Sequence, residues 1–286
     1  MRKQTVRKII VIALLVCLAT QLFRAPLPVL GEDTGSGNAA GAYDEIDISG
    51  KCAAPPLDGG RDWFNVPKPL TLEQLRGKIV ILDFWTYCCI NCMHVMADMK
   101  KLEAKYPREL VIIGVHSAKF TNEKDSARIR QAVLRHDIEH PVVNDADFKI
   151  WEAYQASGWP HFAIIDPEGQ LVGVTGGEGK FELFDALVKR LIAKFKDGIK
   201  PDAITLDLEK NKEAATSLRF PGKVFADADS RRLFIADSRN HRILVCDFAG
   251  KIQERIGTGQ REPGEVARDP QSFFRRQEHP DGDRAE

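Results

Sequence analysis

The sequence predicts an α/β fold, a central mixed sheet with helices on both faces, followed by a small all-β unit. Three observations predict it. Ile79, Val80, Ile81 and Leu82, and again residues 110–115, form continuous apolar runs, as central strands covered on both faces do. Stretches with helical periodicity alternate with these runs, at 90–106, 127–136 and 181–195. Near residue 218 the texture changes to short strands broken by Asp, Asn and Gly turns.

The 286 residues suffice for one full domain and part of another. Lys plus Arg and Asp plus Glu both number 41, so the net charge is zero and no nucleic-acid partner is expected. Of the six cysteines, Cys88, Cys89 and Cys92 cluster in one turn, while Cys17, Cys52 and Cys246 are dispersed. That is one reactive group with bystanders, not a disulfide framework. Cys52 and Cys246 carry no motif and are expected as free buried thiols.

Taken in order, residues 1–8 carry Arg2, Lys3, Arg7 and Lys8, and residues 9–23 are almost wholly apolar. The pattern reads as a signal anchor over 1–25. The positive-inside rule keeps its basic end in the cytoplasm and places the rest of the chain outside, in the periplasm or extracytoplasmic space. Secretion after signal cleavage is the alternative. Residues 26–42 are rich in Gly, Pro and small residues and read as a flexible linker. An ordered domain is expected over 43–198. Within it, Pro55, Pro56, Pro67 and Pro69 keep residues 50–75 mostly irregular, with Trp63 and Phe64 plugging that stretch onto the core and a short helical turn at 71–75. After strand 79–85 and its helix come strand 110–115, helix 127–136, strand 141–144 and helix 148–155. A hairpin of 161–165 with 171–175 turns through Asp166-Pro167-Glu168-Gly169, and helix 181–195 closes the domain.

Residues 199–217 are polar and read as a linker. Strands near 224–226, 233–235 and 243–246 follow, and four such strands make one propeller blade. One blade cannot bury its own faces. Residues 261–286 are poor in apolar side chains, and disorder is expected there.

The chemistry concentrates between strand and helix. Cys89-Ile90-Asn91-Cys92 is a C-x-x-C at a helix start, where the helix dipole and unpaired N–H groups favour negative charge on sulfur. Cys92 falls on the apolar stripe with Val95, Met96, Met99, Leu102 and Tyr106, one turn deeper than Cys89. That spacing suits attack on a disulfide by the first sulfur and intramolecular resolution by the second.

Residues 43–198 resemble a thioredoxin-like domain, in the larger form found in extracytoplasmic thiol-disulfide oxidoreductases. The resemblance rests on Asp83-Phe84-Trp85, Cys89-x-x-Cys92, and Trp159-Pro160 before a strand. The phrase TYCCINCMH resembles the thioredoxin-like domain that precedes an NHL-repeat β-propeller in the NHL repeat-containing family. Residues 218–260 resemble one such repeat, through FIADSRNHRILV. The resemblance implies that Cys89 attacks and Cys92 resolves. It implies that Asp83, with a pKa raised by its apolar strand, relays the Cys92 proton. It implies a cis Pro160 facing the disulfide and an edge at Trp159 for an extended substrate strand. The partners it implies are protein thiols and disulfides; no cofactor is expected.

The chain departs from the pattern in having Cys88 before the first cysteine and Ile90-Asn91 within the motif. Cys88 is expected to be a small filler facing away from the pair, His94 a partly exposed polar residue and His161 an ordinary strand residue. An alternative reading is a copper-binding, chaperone-like protein of the same fold, using Cys88, Cys92 and His94 or His161. Another is an interaction module with vestigial thiols.

Overall fold

The computed structural model describes residues 26–30, 43, 45–200, 202–212 and 218–257. They fall into two compact units that divide between Asn211 and Lys212. The expected anchor at 1–25 and tail at 261–286 lie outside the described residues. Among the described residues, no helix is long and apolar enough to cross a membrane.

The first unit is built on a seven-stranded mixed sheet. Its strands are β1 (Cys52–Ala53), β2 (Trp63–Phe64), β3 (Ile79–Trp85), β4 (Leu110–His116), β5 (Val142–Asn144), β6 (His161–Ile165) and β7 (Gln170–Gly176), in the spatial order β1-β7-β6-β3-β4-β5-β2. β3, β4 and β5 run parallel; β6 is antiparallel to β3, and β7 to β6. The crossover helices are α1 (Ile90–Lys105), after β3, and α2 (Ser126–His136), after β4; α3 (Lys149–Ala153) and α4 (Phe181–Lys194) follow.

Every residue of β3 and β4 is buried, which is why their runs are apolar throughout. The pleat divides them. Ile79 and Ile81 face one side with Leu110 and Ile112, and pack there against Val95, Met99 and Leu102 of α1 and Phe184 and Leu187 of α4. Val80, Leu82 and Phe84 face the other side, against Leu57, Ile150 and Tyr154. Each such side chain, fully buried, contributes roughly 1.5–3 kcal/mol. Asp83 continues the first series, so its carboxyl lies on the face that α1 covers.

The structure differs from the sequence reading at several places. Residues 26–30, expected to be free linker, run beside β7: the Leu30 N–H donates to the Val174 carbonyl and the Val174 N–H to Pro28, both at 2.8 Å. Leu30 is buried in the core that α1 shares. Its side chain lies over Gly173, where a Cβ would come within 2.7 Å of it. Backbone pairing depends little on side-chain type, so a Pro- and Gly-rich composition does not reveal it.

Part of the expected linker at 199–217 is likewise docked. The Asp207 N–H donates to the Asn65 carbonyl and the Glu209 N–H to Asn65 Oδ1, both at 2.9 Å, and Arg130 Nε meets Glu209 Oε2 at 2.6 Å. The short turn expected at 71–75 is present and continues as turns to Gly77, with the Leu75 N–H donating to the Leu72 carbonyl at 3.2 Å. Cys52 is exposed at β1, not buried, whereas Cys246 is buried as expected.

The second unit is an antiparallel meander of β8 (Pro221–Asp227), β9 (Arg232–Asp237), β10 (Arg242–Asp247) and β11 (Ile252–Ile256), in the order β11-β10-β9-β8. Its form is that of a partial blade. The buried Asp237 carboxylate pins the β9–β10 turn, accepting from Arg219 N at 2.6 Å, Asn240 Nδ2 at 2.8 Å and Arg242 Nε at 2.7 Å.

Candidate active site

β3 ends at Trp85, and Thr86 to Cys89 turn the chain into α1. Cys89 is the N-cap of α1: its backbone is extended, and its Sγ accepts the Cys92 N–H at 3.3 Å. The cap position is usually held by Ser, Thr, Asp or Asn, whose oxygen meets the same orphan N–H. Here a sulfur takes that place. Cys89 is half-buried, while Cys92, one turn on, is 1% exposed. Both are free thiols.

Cys92 packs with Trp85 and Met96 of the same face, and Cys89, Tyr87, Met93 and Trp159 border that cluster. The Trp159–Pro160 peptide is cis, as expected. Trp159 is held by its indole N–H, which donates to the Ser117 carbonyl at 2.9 Å, and by the Trp151 ring at 4.6 Å. Thus Cys89, Cys92 and the Trp159 side chain of the cis peptide share one cluster.

Electrostatics separate the two cysteines from the carboxyl beneath. Burial, reinforced by its hydrogen bond with Cys89, pushes the Cys92 thiol well above its ordinary range, and the charges of Cys89 and Asp83 add to this. Burial pushes Asp83 up to about 7; the charge of His140 opposes that rise and the charge of Glu103 adds to it. The Asp83 Oδ1 atom is buried without a hydrogen-bond partner.

The remaining predicted residues are placed less uniformly. Cys88 is exposed rather than a filler. Burial and a hydrogen bond to Glu123 push its thiol up. Glu123 was not foreseen. It is buried, and its Oε2 accepts from Thr86 Oγ1 at 2.8 Å, Lys119 N at 2.9 Å and Phe120 N at 3.1 Å, tying the loop after β4 to the active-site turn. His94 is exposed, with Nδ1 at 2.8 Å from Glu178 Oε2. His161 is buried against the Phe84 ring at 5.6 Å, and burial lowers its pKa to about 4. His116, also unforeseen, stacks on Tyr87 at 5.4 Å and is lowered to about 4 by burial.

The copper set therefore does not assemble. Cys88 turns to Glu123, Cys92 is buried on the inner face of α1 and His94 points to Glu178. Among the described residues no group of three or more His, Cys, Asp and Glu side chains could hold a metal ion. Spacing along the chain placed these residues together; the turn and the helix face send them apart.

Comparison with known proteins agrees with this geometry. A family described as thioredoxin-like matches residues 77–171. The chain is 44% identical over 208 residues to NHL repeat-containing protein 2 of Bos taurus, covering 71% of this chain and 29% of that protein. It is 40% identical over 251 residues to the chloroplastic protein SUPPRESSOR OF QUENCHING 1 of Arabidopsis thaliana, covering 84% of this chain and 24% of that protein. It is also 30% identical over 136 residues to thiol-disulfide oxidoreductase ResA of Halalkalibacterium halodurans, covering 47% of this chain and 69% of that protein. The chain thus spans less than a third of the length of the first two relatives and matches most of the third. With a C-x-x-C capping the helix after a buried central strand, a buried aspartate whose charge bears on Cys92 and a cis-proline at the start of β6, the chain belongs to the thioredoxin-like family.

Proposed function

We propose that the protein is a thiol-disulfide oxidoreductase acting on protein disulfides outside the cytoplasmic membrane. The observation that carries the reading is the pairing of a cap-position Cys89 with a buried Cys92 held over Asp83. The Cys89 thiolate attacks a partner disulfide; one partner sulfur leaves as thiolate and a mixed disulfide forms. The negative charge on the Cys89 sulfur is met, before attack, by the Cys92 N–H and the start of α1. Cys92, whose burial disfavours its own ionisation, then loses its proton to the Asp83 carboxylate. The new thiolate attacks Cys89, the Cys89–Cys92 disulfide closes, and the second partner sulfur departs. A carboxyl near 7 suits a proton acceptor at neutral pH. Two electrons pass to the partner, and a second thiol system resets the pair. Names of relatives such as thiol-disulfide oxidoreductase ResA support the reaction class. The basic-then-apolar pattern of residues 1–23 supports the location.

The test is disulfide reduction by single variants. Cys89→Ser abolishes it, and Cys92→Ser accumulates a mixed disulfide visible by intact mass. Full activity in the double variant would end the reading.

A further inference from the structure

Sulfur is a weak hydrogen-bond acceptor. The 3.3 Å bond from the Cys92 N–H to Cys89 Sγ therefore holds the cysteine at the cap of α1 only loosely, and the turn before it must be fixed from elsewhere. That turn begins at Thr86, which is fully buried, and the Thr86 carbonyl accepts the Cys89 N–H at 3.1 Å. The Thr86 hydroxyl donates to Glu123 Oε2 at 2.8 Å. Three hydrogen bonds in series thus run from Glu123 through Thr86 to Cys89 and on to the first turn of α1.

The carboxylate at the head of this series is placed at a cost. Glu123 is 1% exposed, and its Oε1 accepts from no N–H or O–H group. Its Oε2 is also held by the Lys119 N–H at 2.9 Å and the Phe120 N–H at 3.1 Å, so its own loop fixes it independently of Thr86. Burial works to raise its pKa, but hydrogen bonds from Cys88, Thr86 and the two backbone groups outweigh burial and lower it. An ionised acceptor makes the bond from Thr86 one of the strong kind.

The same segment reaches the other flank of the site. The Ser117 carbonyl accepts the Trp159 indole N–H at 2.9 Å, while the Tyr87 N–H donates to His116 Nε2 at 3.4 Å and the Tyr87 hydroxyl to the Asn122 carbonyl at 3.3 Å. Residues 116–123 therefore grip the cysteine turn and the tryptophan of the cis peptide at once. The titratable groups facing Glu123 are Cys88 and Tyr87 of the turn and His116 of β4, with the charge of Lys119 bearing on Cys88.

We propose that Glu123 and Thr86 are positioning residues, whose hydrogen bond is a brace that keeps Cys89 at the cap of α1 and in a fixed relation to Trp159. Without it the turn relaxes, the sulfur leaves the Cys92 N–H, and a thiolate there loses the stabilisation that the helix start supplies. The proposal rests on the oxidoreductase reading above and adds no step to its chemistry.

The test alkylates the reduced full chain with iodoacetamide over a series of pH values. Fragment masses separate the Cys89 product from those of Cys88 and Cys92. Thr86→Val keeps the shape of the side chain and every charge but removes the hydroxyl. Its Cys89 profile moves to higher pH by roughly half a unit, the size of helix-end stabilisation of an anion. Thr86→Ser keeps the hydroxyl and with it the parent profile. Glu123→Ala shifts the profile through its charge as well, so it is read in a cycle: once Glu123 is Ala, Thr86→Val adds no further rise. A Thr86→Val chain with a lowered denaturant midpoint and the parent profile would make the bond a structural contact alone and overturn the proposal. Equal shifts in Thr86→Val and Thr86→Ser, or an undiminished rise in the Glu123→Ala background, would overturn it too. The same chains are assayed for reduction of a peptide disulfide. A parent that reduces it, with an unmoved Thr86→Val profile, loses the brace alone. A parent that reduces none, with the profile moved as expected, loses the oxidoreductase reading and keeps the brace.

Discussion

At the scale of single residues, Asp83 shows how a functional group costs stability. Its carboxyl is raised from 3.8 to about 7 by burial, with no hydrogen-bond partner on Oδ1. The folded state holds the proton more tightly than the unfolded chain does. The stabilising effect of that proton is therefore fully present below about pH 4 and is lost as pH rises through 7. The full difference is on the order of 4 kcal/mol, at 1.36 kcal/mol per pKa unit. Asp83→Asn, neutral at every pH, should consequently gain stability over the reduced wild type at pH 8 and gain almost none at pH 4. Denaturant unfolding at the two pH values measures it, and an equal difference at both would refute the raised pKa. Cys89 and Cys92 were legible in the sequence because a C-x-x-C at a helix start is a local pattern, and Asp83 was singled out through the resemblance that Asp83-Phe84-Trp85 carries. His140, Glu103 and Glu123 were not. His140 and Glu123 reach the site from other elements and Glu103 from the far end of α1, and a lone His or Glu in a polar stretch carries no local signature. Cys88 was misread for a related reason: a turn directs side chains by its own dihedrals, which neither helical nor strand periodicity describes.

At the scale of elements, the periodic ones came through best. β3, β4, β6 and α1 matched because one or two buried faces impose a repeat on the residues. The two-residue strands β1 and β2 are too short for any repeat. The segment at 26–30 is held by two backbone hydrogen bonds and one apolar anchor, and only the anchor is a side-chain signal. Leu30 lies in the same buried cluster as Ile79, Phe162 and Leu187 and fits over Gly173, where a Cβ would come within 2.7 Å of it. Truncating its side chain to a methyl group should cost about 2–5 kcal/mol if the segment is a full part of the core. Leu30→Ala is thus expected to lower the denaturant midpoint of the first unit with an unchanged slope. A variant indistinguishable from wild type would mean that the segment lies on the sheet without stabilising it.

At the scale of the whole molecule, the two units are unequal in what holds them. Among the described residues, the three hydrophobic clusters draw on the first unit, with none of their members beyond Ile204. In the second, the buried apolar residues are Ala236, Ile243, Leu244, Val245 and Cys246, almost all on β10, while Val224, Phe248 and Ile256 are exposed. A blade-like sheet is ordinarily covered by its neighbours, since each repeat buries its faces against the next. The four strands between Pro221 and Ile256, with so small a core, are marginal on their own. Local opening should therefore be far easier in β8–β11 than in β3 and β4, whose every residue is buried between layers. Hydrogen exchange on the full chain measures this directly. Amides of β3 and β4 should exchange only through global unfolding of the first unit, with a rate that falls as its stability rises. Amides of β8–β11 should exchange much sooner and show no response to Leu30→Ala. Equal protection in the two sheets, or a shared response to that substitution, would show that the blade is stabilised together with the α/β unit rather than by its own few contacts.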